Sequence, residues 1–248
     1  MLLGLGRLVE GVNLIGIRPS GRPPVRPTVW LAAHYDSKGQ PTSMATRIVG
    51  ALCATLGGAA LIVSLIAGWT VIPALALGVL GGGILAQNRV TDRSAGAVDN
   101  ASALVAVFKI LDALPRHANV GVLFLDAEEL GLLGARAFVA ERAALFDGAA
   151  VINFDGLDDR GRPIAFVHRT GPVVQAVAAE LGAARARWLP VVVDGIILAS
   201  RARECVTIMK GDWGTARVVH TPHDRAERLT LEGVRQVAAG VARTLGAP

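Results

Sequence analysis

His34 and Asp36 stand two residues apart at the end of an apolar run, "TVWLAAHYDS", and other chemically capable side chains follow at the ends of similar runs or in loops: Asp99, the pair Glu128 and Glu129, Asp155, and His220. Taken singly, each has an ordinary structural use. Asp99, followed by Asn100 and Ser102 ahead of a helical pattern, has the form of an N-cap. Glu128 and Glu129 read as a solvated helix start that complements the dipole. As a set they read differently. Hard carboxylate oxygens mixed with imidazole nitrogens suit zinc or a similar divalent ion. Two such ions about 3.5 to 4 Å apart need a bridging carboxylate and roughly two further ligands each. The residues supply one bridge, two histidines and two further carboxylates, with two carboxylates left for other roles.

The elements that must position these residues alternate between short apolar runs and amphipathic segments, the pattern of strands covered by helices. "GVNLIGIRP", "TVWLAAHYDS", "NVGVLFLDAEE", "AAVINFDGLD" and "ECVTIMKGD" read as strands, and "RPPVRP" as a loop. "DNASALVAVFKILDAL", "LGLLGARAFVAERAAL", "GPVVQAVAAELGA" and "TLEGVRQVAAGVARTLGA" read as helices. The predicted fold class is α/β, with a central, mostly parallel or mixed sheet flanked by helices. Ligands in such sheets collect beyond the carboxyl ends of the strands, where these motifs fall.

One stretch departs from this pattern. Between Arg47 and Arg89, residues 48 to 88 contain no Asp, Glu, Lys, Arg or His, and this stretch is where the chain's excess of apolar residues, 52% overall with a mean hydropathy of +0.47, is concentrated. The run is long enough for two bilayer passes of about 20 residues each, joined near Gly68, Trp69 and Thr70. The second pass, Val71 to Ala86, is short, begins near Pro73 and contains Gly81, Gly82 and Gly83. A re-entrant or monotopic hairpin, or two buried helices of a soluble core, are the competing readings. The expected organisation is a discontinuous domain, residues 1–46 and 89–248, with a membrane helical hairpin inserted over 47–88. Lys38, Arg47, Arg89 and Arg93 flank the hairpin on one side, which by the positive-inside bias places the domain on the cytoplasmic face of an inner or plasma membrane.

Cys53 in the hairpin and Cys205 in the domain are badly placed for a structural disulfide. "MLLGLGRLVE" lacks the basic start and long apolar stretch of a signal peptide. The net charge of +5 suits anionic headgroups beside the hairpin, and with one Tyr and no basic-aromatic motif there is no case for nucleic acid. No residue pattern specifies an oligomeric state.

"AAHYDS", "SAGAVDNASA", "LDAEELGLLGA", "INFDGL" and "VVHTPHDRAERL" resemble, in order, the successive motifs of the co-catalytic di-zinc exopeptidases, the family of bacterial leucyl aminopeptidases and glutamate carboxypeptidases. The resemblance runs from about Val9 to the C-terminus, with the hairpin inserted between the first two motifs. It implies two Zn2+ ions, other divalent ions being possible: His34 and Asp155 on one, Glu129 and His220 on the other, and Asp99 bridging. It makes Asp36 the partner that orients a ligating imidazole, as such rings require, and Glu128 the general base. Glu128 and Glu129 are neighbours, so they face different groups only if the backbone there leaves regular geometry. The implied function is a membrane-anchored zinc exopeptidase acting on a peptide with a free terminus, most readily an aminopeptidase. Carboxypeptidase or glutaminyl cyclase chemistry on the same fold is an alternative, although the family's cyclases use one zinc. An inactive membrane-bound scaffold is another, although such descendants lose ligands and none is missing here.

His223 is the nearest rival to His220, while His117 and His168 match no motif and read as surface or packing residues. Asp158 and Asp159 read as a turn, and Asp126 as an organiser of the loop before the glutamates. The chain begins close to its first strand, without the helical segment that usually precedes it in the family. "PVVVDGIILASRARECVTIMKGDW" lines up loosely with the region that shapes the family's substrate pocket, leaving substrate choice open.

Overall fold

A computed structural model describes residues 10–18 and 26–246; the N-terminal segment 1–9 and most of the "RPPVRP" loop lie outside the described residues. The strands are β1 (Leu14–Ile17), β2 (Val29–His34), β3 (Val120–Leu125), β4 (Ala150–Leu157), β5 (Arg162–Arg169), β6 (Ala184–Ala186) and β7 (Glu204–Gly211). They form one mixed sheet in the order β1-β3-β2-β4-β7-β5-β6. Its centre, β3-β2-β4-β7, is parallel, and β1 and β5 join antiparallel to β3 and β7. Every residue of β2 is buried, as expected of a strand covered on both faces.

The helices are α1 (Met44–Ala67), α2 (Ile72–Ala86), α3 (Ser102–Ala113), α4 (Leu133–Arg142), α5 (Pro172–Glu180), α6 (Gly195–Leu198), α7 (Trp213–Ala216) and α8 (Glu232–Thr244). Alternate residues of β2 serve opposite faces of the sheet. Leu31 and Ala33 pack with apolar residues of α3, α5 and α8. Trp30 and Ala32 pack with Ala135 and Phe138 of α4, Phe146, and Leu198 of α6. Both faces are therefore closed, and the parallel strands release their chain at one edge.

Five strands lie where the sequence predicts them. β5 and β6 carry weaker strand signals than the others: the apolar run of β5 is only residues 164–167, set between Arg162, Pro163 and His168, Arg169, and β6 is three residues long. Pairing with β7 makes β5 a strand. Asp158 and Asp159 do occupy the bend between β4 and β5, and they do more than turn the chain. Asp158 accepts from the Thr215 hydroxyl (2.6 Å) and from Arg228. Asp159 accepts from the Gly233 backbone N–H (2.9 Å) at the start of α8.

The uncharged stretch is a helical hairpin that turns at Gly68, in the left-handed conformation (φ 68°). α1 begins at Met44, before the uncharged run, because the Ser43 side chain caps it by accepting from the Thr46 N–H. Small residues bring the two helices together: a Cβ on Gly57 would lie 2.4 Å from the Gly78 nitrogen, and one on Gly81 2.3 Å from the Ala54 nitrogen. Close contact through glycines is the packing mode of helices in lipid. The outward faces stay apolar and uncovered, with Ile66 83% and Val79 72% exposed. Among the described residues α1 alone is long and apolar enough to cross a bilayer, at 24 residues spanning about 36 Å, whereas the 15 residues of α2 span about 22 Å. Of the four cations flanking the hairpin, Arg89 and Arg93 are exposed, whereas Lys38 and Arg47 point into the cluster described below. Cys53 and Cys205 are both free.

Gly121 of β3 lies beside Trp30 in register, and a Cβ there would meet the indole ring at 2.7 Å. Trp30 is fully buried against Phe138 and Phe146 and cannot yield. Gly121→Ala is therefore expected to destabilise the domain by about 1–3 kcal/mol through overpacking, read as a melting temperature lowered by several degrees; an unchanged melting temperature would show that the Trp30 side of the sheet is loosely packed.

Candidate metal and catalytic site

His34 is the last residue of β2, Glu128 and Glu129 lie in the turn after β3, and Asp155 lies near the end of β4, so adjacent parallel strands deliver them to one edge. Asp99 comes from an irregular turn ahead of α3 and His220 from the loop after α7. All of them converge, as the sequence predicts. His34, Glu128 and Asp155 form one group of potential donors and Asp99, Glu129 and His220 another, each with its donor atoms within 4.8 Å of one another.

Asp99 joins the groups. Its Oδ1 lies 3.2 Å from His34 Nε2 and its Oδ2 3.0 Å from His220 Nε2. Asp155 Oδ1 is 3.9 Å from His34 Nε2, and Glu129 Oε1 is 2.8 Å from His220 Nε2. Asp99 thus does not act as the N-cap its sequence context suggests; α3 starts without a side-chain cap. Its turn is held from below by Asp224, which accepts from the backbone N–H groups of Val98 (2.7 Å) and Asp99 (3.3 Å).

The paired glutamates separate as required. Ala127, just before them, takes φ 52°, a left-handed conformation that L-residues avoid, and Glu128 falls in the His34 group while Glu129 falls in the His220 group. Asp36 fixes this turn by accepting from the backbone N–H groups of Glu128 (3.0 Å) and Glu129 (3.1 Å). Its carboxylate is also 3.5 Å from His34 Nδ1, which lies 3.1 Å from the Asp36 carbonyl oxygen. One aspartate therefore orients both an imidazole and the acidic pair. Asp126 accepts from the Ala127 N–H and so organises the same loop.

The ring nitrogen of His220 away from the cluster, Nδ1, meets Gln40 Oε1 at 2.9 Å, and Arg47 of α1 contacts the same atom. Lys38 Nζ pairs with Glu129 Oε2 at 2.8 Å. His223 is exposed and outside the cluster, as is His117. His168 packs on Phe166 and bonds to the Thr207 hydroxyl, and burial lowers its pKa to about 4.

Two further residues, Asn100 and Asp194, belong to the surroundings of the cluster without a sequence signal that marks them. Asn100 donates to the carbonyl oxygens of His34 (3.4 Å) and Phe154 (3.1 Å) and accepts from the Gly156 N–H (3.0 Å), tying the Asp99 turn to β2 and β4. An asparagine beside an aspartate looks like ordinary cap chemistry in a sequence, and the long-range pairing has no local signal. Asp194 is fully buried with both carboxylate oxygens lacking a partner. Burial pushes its pKa to about 7 against the pull of His34, and its charge bears on Glu128. The only local signal was a lone acid within "PVVVDGIIL".

The donor set fits divalent metal ions. His34 Nε2, His220 Nε2, Asp99 Oδ1 and Glu129 Oε1 are buried and face one another at 2.8–3.2 Å without an aligned hydrogen bond between them, a grouping of donor atoms that a cation would satisfy. The titration behaviour shows the same need for positive charge. Burial opposes charging His34, but Asp155, Asp36 and Asp99 outweigh it and raise its pKa well above the ordinary value. Burial likewise opposes charging His220, and Asp99 and Glu129 outweigh it and raise that pKa. Burial alone would raise Asp99, yet the two histidines hold it well below the carboxylate range. Burial, reinforced by the charge of Asp155, pushes Glu128 up to about 10.

An α/β sheet carrying a two-part carboxylate and histidine cluster at the carboxyl edge of its parallel strands defines the class of protein. The profile of peptidase family M28 matches residues 13–245, and the chain belongs to that family. Its fold is similar to BSAP, a zinc aminopeptidase from Bacillus subtilis (19% identity, 94% of this chain and 48% of that chain, TM-score 0.57). It is similar also to a peptidase M28 precursor from Shewanella amazonensis SB2B (18% identity, 94% and 43%, TM-score 0.57) and to the LapA aminopeptidase of Legionella pneumophila (13% identity, 95% and 58%, TM-score 0.54). At these identities the likeness is one of fold, and the chain spans about half the length of these relatives. No curated protein matches.

Asp155, Asp36 and Asp99 favour protonation of His34, and Asp99 and Glu129 that of His220, whereas metal ligation needs the neutral ring, so metal and protons compete for these nitrogens. Zinc affinity is therefore expected to fall as pH is lowered from 8 to 6. Titration calorimetry in buffers of different ionisation enthalpy is expected to show net proton release at pH 7; uptake without proton release, at an affinity independent of pH, would contradict the assignment.

Proposed function

We propose that the chain is a membrane-anchored, metal-dependent exopeptidase, in the first instance an aminopeptidase. The observation that carries this reading is the placement of Asp99, with one oxygen toward each of two imidazoles, beside a separate buried glutamate, Glu128. His34 and Asp155 would hold one ion, Glu129 and His220 the other, and Asp99 both. Two zinc ions so held would supply a polarised peptide carbonyl and an acidified water.

The remaining work falls to the chain. Glu128 is forced toward its neutral form by burial and by Asp155, and cations at the neighbouring donors would return it to the carboxylate. It then accepts the proton of the attacking water and passes it to the leaving amine. Asp36 holds the Glu128 turn and the His34 ring together, so that base and ligand keep their relative position. Lys38 fixes Glu129, and Gln40 orients His220.

Anchoring rests on the hairpin's uncovered apolar faces and glycine-mediated packing. With Lys38 and Arg47 engaged in the cluster, Arg89 and Arg93 carry the inference that the domain faces the cytoplasm.

Dipeptides with a free amine, a blocked amine or a free carboxylate, assayed with and without chelator, test the reaction. Chelator-sensitive hydrolysis that needs the free amine is expected; cleavage only of substrates with a free carboxylate, cyclisation of N-terminal glutamine, or no turnover by zinc-loaded protein would replace this reading with one of the others. Glu128→Gln is expected to lower kcat by about 10²- to 10⁴-fold while metal content is unchanged; near-normal turnover would remove Glu128 from the mechanism. The full chain is expected to stay with membranes through alkaline carbonate washing, and its release into the wash would show that the hairpin does not anchor it.

A further inference from the structure

The hairpin is joined to the catalytic cluster as well as to the rest of the domain. At its root, Gly39 and Thr91 form an antiparallel bridge with both backbone bonds made (2.7 and 2.8 Å). Between this bridge and α1, the Gln40 backbone N–H donates to the His220 carbonyl oxygen at 2.7 Å, and the Gln40 side chain meets His220 Nδ1. Arg47, the fourth residue of α1, contacts the same imidazole. The start of α1 is thus seated on His220.

A cavity of about 360 Å³ opens on the cluster, with Asp99, Glu128, Glu129, Asp155 and His220 in its lining. Two other lining residues, Met44 and Ile48, come from α1 and are spaced four apart on one helix face. The rest of the lining is mainly apolar and includes Val191, Val192, Trp213 and Val219. The charged lining residues outside the cluster are already engaged. Lys210 is buried, and its Nζ donates to the carbonyl oxygens of Asp158, Asp159, Arg160 and Gly161 at 2.8–3.2 Å. Asp212 caps α7 by accepting from the Thr215 N–H, and its other oxygen accepts from Arg160. The cavity therefore offers a ligand side chain apolar surface and no free charge beyond the cluster.

We propose that the first two turns of α1 are a wall of the substrate pocket, and that Met44 and Ile48 set the size of the apolar terminal residue it accepts. The hairpin is then both an anchor and a specificity element. Its root fixes a pocket wall and His220 together, so the peptide end must enter beside the segment that leaves the domain for the hairpin. This rests on the exopeptidase reading above, whose failure is distinguishable as follows.

Full-length protein with Met44→Trp, Ile48→Trp or Ile48→Ala is compared with wild type using Ala-, Leu- and Phe-aminoacyl reporters. A ratio of kcat/KM values does not depend on the fraction of folded enzyme. The Trp variants are expected to lower the Leu-to-Ala ratio by about 10-fold or more, the effect of misfitting a hydrophobic pocket, and Ile48→Ala to shift the ratio toward Phe. Leu65→Ala, toward the far end of α1, is expected to leave all ratios unchanged. Ratios unmoved in every Met44 and Ile48 variant would overturn the proposal while leaving the peptidase intact. If wild type hydrolyses no reporter, the aminopeptidase reading fails, and calorimetric binding of phenylalanine amide decides the pocket separately: binding weakened by Ile48→Trp supports the wall, and equal binding by all variants overturns it.

Discussion

Four carboxylates, Asp99, Glu128, Glu129 and Asp155, are gathered with two imidazoles into one largely buried cluster, and such a concentration of negative charge is tenable only with positive charge among it. The neighbouring carboxylates favour the imidazolium form of both histidines, and burial with Asp155 favours the acid form of Glu128. Lys38 and Arg47 add fixed cations, both on the His220 side. Much of the surrounding structure holds the arrangement against its own repulsion. Asp36 pins the glutamate turn, Asp224 the Asp99 turn, and Asn100 ties that turn to two strands.

The residues of the cluster were legible because each ends an apolar run or opens a loop, and a parallel sheet brings such ends to a common edge. Their supports were much less so. Asn100 and Asp224 act through partners far away in sequence, and Asp194 gave no periodicity or spacing to notice. β5 is weakly signalled for a related reason: its identity depends on pairing with β7, while its own residues include a proline and charged positions. The bland expectation for Asp99 failed for the opposite reason. Local chemistry favours a cap, and the tertiary cluster overrides it.

The hairpin shows the same limit from another direction. Its existence and turn follow from the uncharged run, whereas the cations flanking it have, in the sequence, only the look of neighbours of a lipid surface. Lys38 and Arg47 instead face the cluster, because Ser43 starts α1 early enough to lay its first turn over His220. The first turns of the hairpin thus border the site. The same short loop that carries the chain into the hairpin also orients His220 through Gln40.

Metal analysis of purified full-length protein and of Asp99→Ala after dialysis against zinc tests the convergence most directly. About two zinc ions per wild-type chain are expected, from the two-ion ligand set, with both lost or severely weakened in Asp99→Ala although the protein remains folded. Folded wild type that takes up no zinc, or an Asp99→Ala variant that keeps both ions at undiminished affinity, would contradict the assignment of Asp99 as the residue that unites the two halves of the site.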